Sequence, residues 1–243
     1  MNRPLVRLAP LILATLTAIS PPAQSQEANQ KKPAAPPAKK ESRTVTDAVP
    51  LIPRKVLFDN PDRTSPSLSP DGKHLSWLAP VDGVLNVWVS PTDDLEKAKP
   101  VTHDTKRGIR DFFWAYTGKH VLYLQDKGGD ENWRVYSVDL ASGQEKDLTP
   151  LEGVAAQVQE VSKKFPTEIL VALNNRDPQF HDVHRVNVET GKMSLVQQHP
   201  GAFEGGMITG FVTDDDYKIR FATRMNPDGS ITVLQPDREK GWK

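Results

Sequence analysis

The chain has 243 residues, 37% of them hydrophobic and 26% charged, with no cysteine and with 31 basic against 31 acidic side chains. The lack of cysteine excludes disulfides, thiolate metal sites, a cysteine nucleophile and a lipid-modified cysteine within these residues. The first fifty residues hold seven of the 31 Lys and Arg and three of the 31 Asp and Glu, which leaves 24 and 28 for the remainder, a net charge of −4 that offers no basic surface for nucleic acid.

Arg3 and Arg7 precede an apolar run over residues 8–19, followed by Pro21, Pro22 and the small residues Ala23 and Ser25. This order of charge, apolar segment and small-residue site predicts a secretory signal peptide over residues 1–25, cleaved after Ser25, and a periplasmic or secreted product. The run is shorter than the roughly 20 residues that span a bilayer. No stable membrane insertion is therefore expected after cleavage, with retention as an N-terminal anchor as the alternative. Residues 26–48 are rich in Pro, Ala and Lys and hold almost no large apolar side chain. They cannot offset the entropy of ordering themselves and predict a disordered linker.

From residue 49 onward the chain is organised by a repeat. Residues 69–89, SPDGKHLSWLAPVDGVLNVWV, recur in altered form as AYTGKHVLYLQDKGGDENWRVYSV at 115–138 and, more loosely, as SKKFPTEILVALNNRDPQFHDVHRVNV at 162–188. Trp88, Tyr136 and His184 are spaced by 48 residues and Gly72 and Gly118 by 46. Each copy reads turn, short apolar strand, polar hairpin, second apolar strand. In the first, Leu75 and Trp77 alternate with His74 and Ser76, and Leu85, Val87 and Val89 continue the alternation beyond the Asp82-Gly83 turn. In the second, strands are expected at 121–124 and 133–140, in the third at 168–173 and 183–188. A fourth unit is expected at 207–212, 217–224 and 231–234, with a turn at Asn226 to Gly229 and no closing strand. Apolar residues on both faces of these strands predict sheets covered on both sides, and helical periodicity is nearly absent after the leader.

A period of this size with several short strands per unit predicts an all-β fold, a partial β-propeller of about four blades over residues 49–243. Unequal repeats and an unclosed last unit lead us to expect further blades beyond residue 243.

Asp130 and Glu131, in the GGDEN turn of the second repeat, are candidate ligands for a substrate amino group, since paired carboxylates bind cations or exchange protons; acidic residues also simply solvate hairpin tips. Asp214, Asp215 and Asp216 form a weaker acidic cluster. His181 and His184 could suggest a metal, but residues three apart on a strand point to opposite faces, and His184 fills the slot of Trp88 and Tyr136. We expect no metal and no cofactor. Trp77, Trp88, Trp114 and Trp133 recur at blade positions and are expected to pack between blades.

Three runs carry a resemblance: LIPRKVLFDNPDRTSPSLSPDGKHLSWLAP (51–80), DKGGDENWRVYSVDLASGQEKDLTP (126–150) and NNRDPQFHDVHRVNVETGKMSLV (174–196). In this order they resemble the N-terminal propeller of the prolyl oligopeptidase family of serine peptidases, in particular its secreted bacterial dipeptidyl and acylaminoacyl peptidase branch. The SPDG turn alone is shared with TolB-like propellers. The resemblance implies a following α/β-hydrolase domain with a serine in a G-x-S-x-G elbow, and a propeller that admits short peptides to it. No G-x-S-x-G segment occurs in the sequence, so no catalytic residue is carried over and no peptide hydrolysis is expected of this chain alone. A free-standing periplasmic propeller that binds a protein or peptide partner, as TolB-like proteins do, is the competing expectation.

Overall fold

The computed structural model describes residues 51–203, 206–238 and 241–243. The expected signal peptide and linker lie outside the described residues. The described residues include one exposed helical turn and a half, α1 (Arg54–Phe58), and, among them, a single 3-10 turn at Leu95–Lys97. Among the described residues no helix is long and apolar enough to cross a membrane.

The remaining regular structure is antiparallel sheet. β1 (Thr64–Leu68), β2 (His74–Val81), β3 (Val84–Pro91) and β4 (Lys99–Pro100) form a first four-stranded meander. β5 (Phe112–Trp114), β6 (His120–Gln125), β7 (Arg134–Asp139) and β8 (Glu145–Asp147) form a second; β9 (Ala156–Val161), β10 (Glu168–Asp177), β11 (Phe180–Asn187) and β12 (Met193–Gln197) form a third. β13 (Ala202–Phe203), β14 (Gly206–Thr213), β15 (Ile219–Met225) and β16 (Ile231–Leu234) make the fourth, and the hairpin β17 (Pro236–Asp237) and β18 (Gly241–Trp242) follows. These are the four blades of a partial β-propeller.

The core lies between blades rather than inside one, because consecutive side chains of a strand point to opposite faces. In β6, Val121 and Tyr123 pack with Leu78, Val87 and Val89 of the first blade, while Leu122 packs with Ile169, Val171 and Leu173 of the third. The third blade divides in the same way: Leu170 and Val183 turn to Ile208, Phe211 and Ala222 of the fourth. Each fully buried Leu or Val contributes about 1.5–3 kcal/mol through removal of apolar area from water. This two-sided demand is why the strands read as unbroken apolar runs such as VLYL.

The turns carry the repeat at atomic level. Asp139 Oδ1 accepts hydrogen bonds from Ala141 N, Ser142 N and Ser142 Oγ; 48 residues later Asn187 Oδ1 accepts them from Glu189 N, Thr190 N and Thr190 Oγ1. In the first blade Asp82 and Gly83, with φ of 50° and 83°, make the two-residue hairpin whose twist matches that of its strands.

Several strands were not legible in the sequence. β1, β5 and β9, which open their blades, and the two-residue β4 are short or interrupted by proline or polar residues. β13 is a correction to the expected fourth unit, since that sheet has four strands, with the additional one in front. The Ser162–Glu168 turn joins β9 to β10, and it is bonded to the Asp214–Lys218 turn, which joins β14 to β15, through Ser162 N to Tyr217 Oη at 3.0 Å and Ser162 Oγ to Asp215 O at 2.7 Å. By position β14 therefore corresponds to β9, and β16 to the third strand of the other blades. The far face of this blade presents Val212, Phe221, Met225, Ile231 and Val233 to solvent.

Candidate functional site

The hairpin between β6 and β7, residues 126–133, is the most elaborated tip of the described chain. Gly128 and Gly129 take φ of 67° and 94°, and Glu131 takes 59°, a left-handed conformation rarely occupied by a side-chain-bearing residue. The backbone is held there from several sides. Asp130 accepts hydrogen bonds from Lys127 N and Asn132 N, each at 3.1 Å, and from Asn132 Nδ2 at 3.2 Å. Desolvation is the largest single influence and raises the Asp130 carboxyl, but these donors and the Arg134 charge together outweigh it and hold the group below the usual carboxylate range. Glu131 N donates to Asp126, whose carboxylate is buried and paired with Arg107 Nε at 3.1 Å.

Arg107 is itself positioned from the core of the first blade. Asn86, fully buried, accepts from Thr102 Oγ1 and from Asp104 N. The Asp104 carboxylate then accepts from Lys106 N, Arg107 N and Gly108 N and from Gln125 Nε2. Gly108 is required in this bend: its φ is 78°, and an added Cβ would lie 3.1 Å from Leu85 N. At Gly129 an added Cβ would lie 2.5 Å from the Arg107 guanidinium. On the other flank the buried Arg134 bridges Asp147 and Glu152, each at 2.9 Å, and Lys127 shares Glu152 at 3.1 Å.

The two expected ligands are thus brought together on one tip but used differently. Asp130 is spent on the turn. The Glu131 carboxylate is exposed and has no hydrogen bond or ion pair among the described residues. An exposed carboxylate with no internal partner can take a cation such as a peptide amino group. The tip presents no nucleophile beside a base, and so no acyl-transfer machinery.

Of the other singled-out residues some reach a seam between blades, whereas Trp77 and Trp88, expected to pack between blades, lie on the face of the first blade turned away from the second, because Leu78, Val87 and Val89 take the alternate positions. His184 packs toward the second blade with Nδ1 3.0 Å from Asp182 O, whereas His181 lies on the fourth-blade side, in a cavity of about 220 Å³ with Gln157, Gln179 and His199. Among the described residues no group of three His, Asp or Glu is placed to hold a metal ion. Asp214 accepts from Asp216 N, Lys218 N and Arg220 Nε, and Asp216 pairs with Lys164 at 2.7 Å. Trp114 Nε1 donates to Ser76 Oγ at 2.8 Å across the first seam, and Trp77 pairs with Trp88 across strands.

Sequence reasoning missed the NNRDP…HDV network. Arg176 grips the buried Asp182 through Nε at 2.8 Å and Nη2 at 2.9 Å, and Asp182 Oδ1 accepts from His199 N at 2.7 Å. Burial raises the Asp182 carboxyl, but Arg176, the His199 N–H and the His184 charge overcome this and lower it. The Arg and Asp in one short motif were the available signal; for Arg107 and Asp126, joined through a connector, there was none.

No family model matches the sequence. The chain is 47% identical over 193 residues to dipeptidyl aminopeptidase BIII of Pseudoxanthomonas mexicana, covering 79% of this chain and 27% of that protein. It is 28% identical over 204 residues to dipeptidyl peptidase family member 6 of Caenorhabditis elegans, covering 81% of this chain and 27% of that protein. It thus spans about a quarter of the length of these curated relatives. Among solved structures, one from a structural and mechanistic study of two prolyl endopeptidases superposes with a TM-score of 0.51 at 13% identity, covering 70% of this chain and 26% of that one; this likeness speaks to the fold. Together with the four blades and the three sequence runs, the relationship places the chain, as a β-propeller region, in the prolyl oligopeptidase family of peptidases.

Proposed function

We propose that this chain is the non-catalytic propeller region of a secreted or periplasmic peptidase, and that it governs which peptides reach a hydrolase domain of the intact enzyme. The observation that carries the reading is the 47% identity to a dipeptidyl aminopeptidase over 193 residues, combined with a sequence that holds no G-x-S-x-G segment. Without that segment there is no strained turn to expose a serine and no accompanying oxyanion hole. In this reading short peptides are the partners, and the Glu131 carboxylate is the anchor for a peptide amino terminus, with Asp130 holding the tip in place.

The purified 243-residue chain should leave chromogenic dipeptidyl substrates uncleaved; turnover that a serine-reactive inhibitor blocks would overturn the non-catalytic assignment. Dipeptides with a free amino group should bind more tightly than their N-acetylated forms. Glu131→Gln should weaken that binding by about tenfold, the loss of one charge-assisted hydrogen bond. Equal affinity of Glu131→Gln and the unsubstituted chain would remove Glu131 from the site.

A further inference from the structure

A second cavity, of about 320 Å³, opens at the seam between the first and second blades, lined by His74, Val89, Ser90, Pro91, Lys97, Lys99, Val101 and Leu140. It is remote in sequence from the 126–133 hairpin and shares none of its residues. Its floor is apolar: Val89 is buried, and Val101 and Leu140 are half-buried against the same cluster. The register of the blade places its polar groups around that floor. His74 stands opposite Pro91, and Lys99 stands opposite Val89, so these side chains share the face that looks toward the second blade. Ser90 stands opposite Leu75 and turns its side chain to the other face.

One of these polar groups is fixed in the wall and another is, among the described residues, a free cation. His74 Nδ1 is buried with no hydrogen-bond partner, although its ring is fixed by stacking on Trp114 with centroids 6.1 Å apart. The Lys99 ammonium has no partner among the described residues, and Lys97 is paired with Asp94 at 2.9 Å. No carboxylate is among the lining residues, so every ionisable group on the wall is a base. The volume falls at the lower end of the range of small-molecule sites, about 300–1,000 Å³.

We propose that this cleft binds a small carboxylate carried on an apolar body. The apolar part rests on Val89, Val101 and Leu140, and the carboxylate accepts from Lys99 Nζ. The same chemistry is offered by a free aromatic or branched-chain acid and by the C-terminal residue of a peptide.

The test uses the 243-residue chain and follows amide NMR shifts while titrating phenylacetate, phenylacetamide, glycyl-phenylalanine and its C-terminal amide. At least one acid should bind, with shifts confined to residues around His74, Val89, Val101 and Leu140, and its amide should bind at least about tenfold more weakly. Binding of the dipeptide acid alone would assign the site to peptide C-termini, binding of phenylacetate to free acids, and either supports the proposal. Lys99→Glu, a change at an exposed side chain, should weaken the acid by about tenfold or more. Val101→Trp should abolish binding by filling the cleft, with the circular dichroism spectrum confirming that the fold persists. Equal affinity for acid and amide, no binding of either acid, or undiminished binding by Lys99→Glu would each overturn it.

Discussion

The seam between the second and third blades and the seam between the third and fourth join similar sheets by different means. The former is a slab of buried aliphatic side chains, among them Leu122, Val135, Leu148, Ile169, Val171 and Leu173. The latter has a smaller apolar cluster and adds directed bonds. Tyr217 Oη accepts from Ser162 N at 3.0 Å and donates to Glu168 O at 2.7 Å, and Arg185 lies over the rings of Phe165 and Tyr217 at 4.2 and 5.4 Å. His199 of the connecting segment donates from Nε2 to Ile208 O and accepts at Nδ1 from Gly201 N. Apolar contact is non-directional and tolerates drift between repeats, whereas a hydrogen-bonded seam fixes one geometry and depends on protonation. The contrast suits a blade whose strands are offset by one from those before it.

Substitutions should separate the two seams. The largest effect is expected from Leu173→Ala, which empties a fully buried site and should cost about 2–5 kcal/mol, read from urea unfolding; a loss below 1 kcal/mol would mean that this slab is not close-packed. Tyr217→Phe keeps the ring but removes the hydroxyl, leaving Ser162 N unpaired. It should cost about 1–3 kcal/mol, and hydrogen exchange should rise at the Ser162–Glu168 and Asp214–Lys218 turns while β6 and β7 stay protected. Protection lost equally in the second blade would deny the seams their independence.

The smallest effect is expected from pH. Burial lowers the basicity of both His181 and His199, and His199 uses both ring nitrogens in a pattern that requires the neutral ring. A histidine with a depressed value in the folded chain adds stability above its unfolded value of about 6.5, and that stability is lost as the pH falls below it. Asp182, whose carboxyl is lowered, loses its contribution at lower pH still. In the other seam Asp139 is lowered by Ser142 N–H, with Ser142 Oγ, Ala141 N–H and the His120 charge assisting against desolvation, and responds only below about pH 4. Hydrogen exchange at pH 5 against pH 7.5 should therefore loosen the fourth blade and leave the second and third unchanged; a uniform response would sink the distinction.

Much of this arrangement was written in the chain, and the reason is physical. The middle strands of each blade must satisfy two apolar neighbours, so 121–124 and 169–173 stand out as unbroken apolar runs. The glycines and the Asp or Asn of the turns recur because the same bends recur. The opening strands stayed hidden because β1 contains Pro66 and β5 has three residues, too few for a period to register. At the candidate site the sequence located the tip but could not tell Asp130 from Glu131: which carboxylate is consumed by the turn depends on backbone angles and on Arg107, brought there from the connector between the first and second blades.

Each buried cluster spans two consecutive blades, and this has a thermodynamic consequence. Cohesion in such a stack is a sum of nearest-neighbour terms, like that of a one-dimensional lattice, so melting can begin at one end and travel inward as a front. In this chain the fourth blade, whose far face presents Val212, Phe221, Met225, Ile231 and Val233 to solvent, is where that front should start. A calorimetric trace of this chain should accordingly be broad, with a van't Hoff enthalpy below the measured heat, and a single midpoint temperature will not describe it.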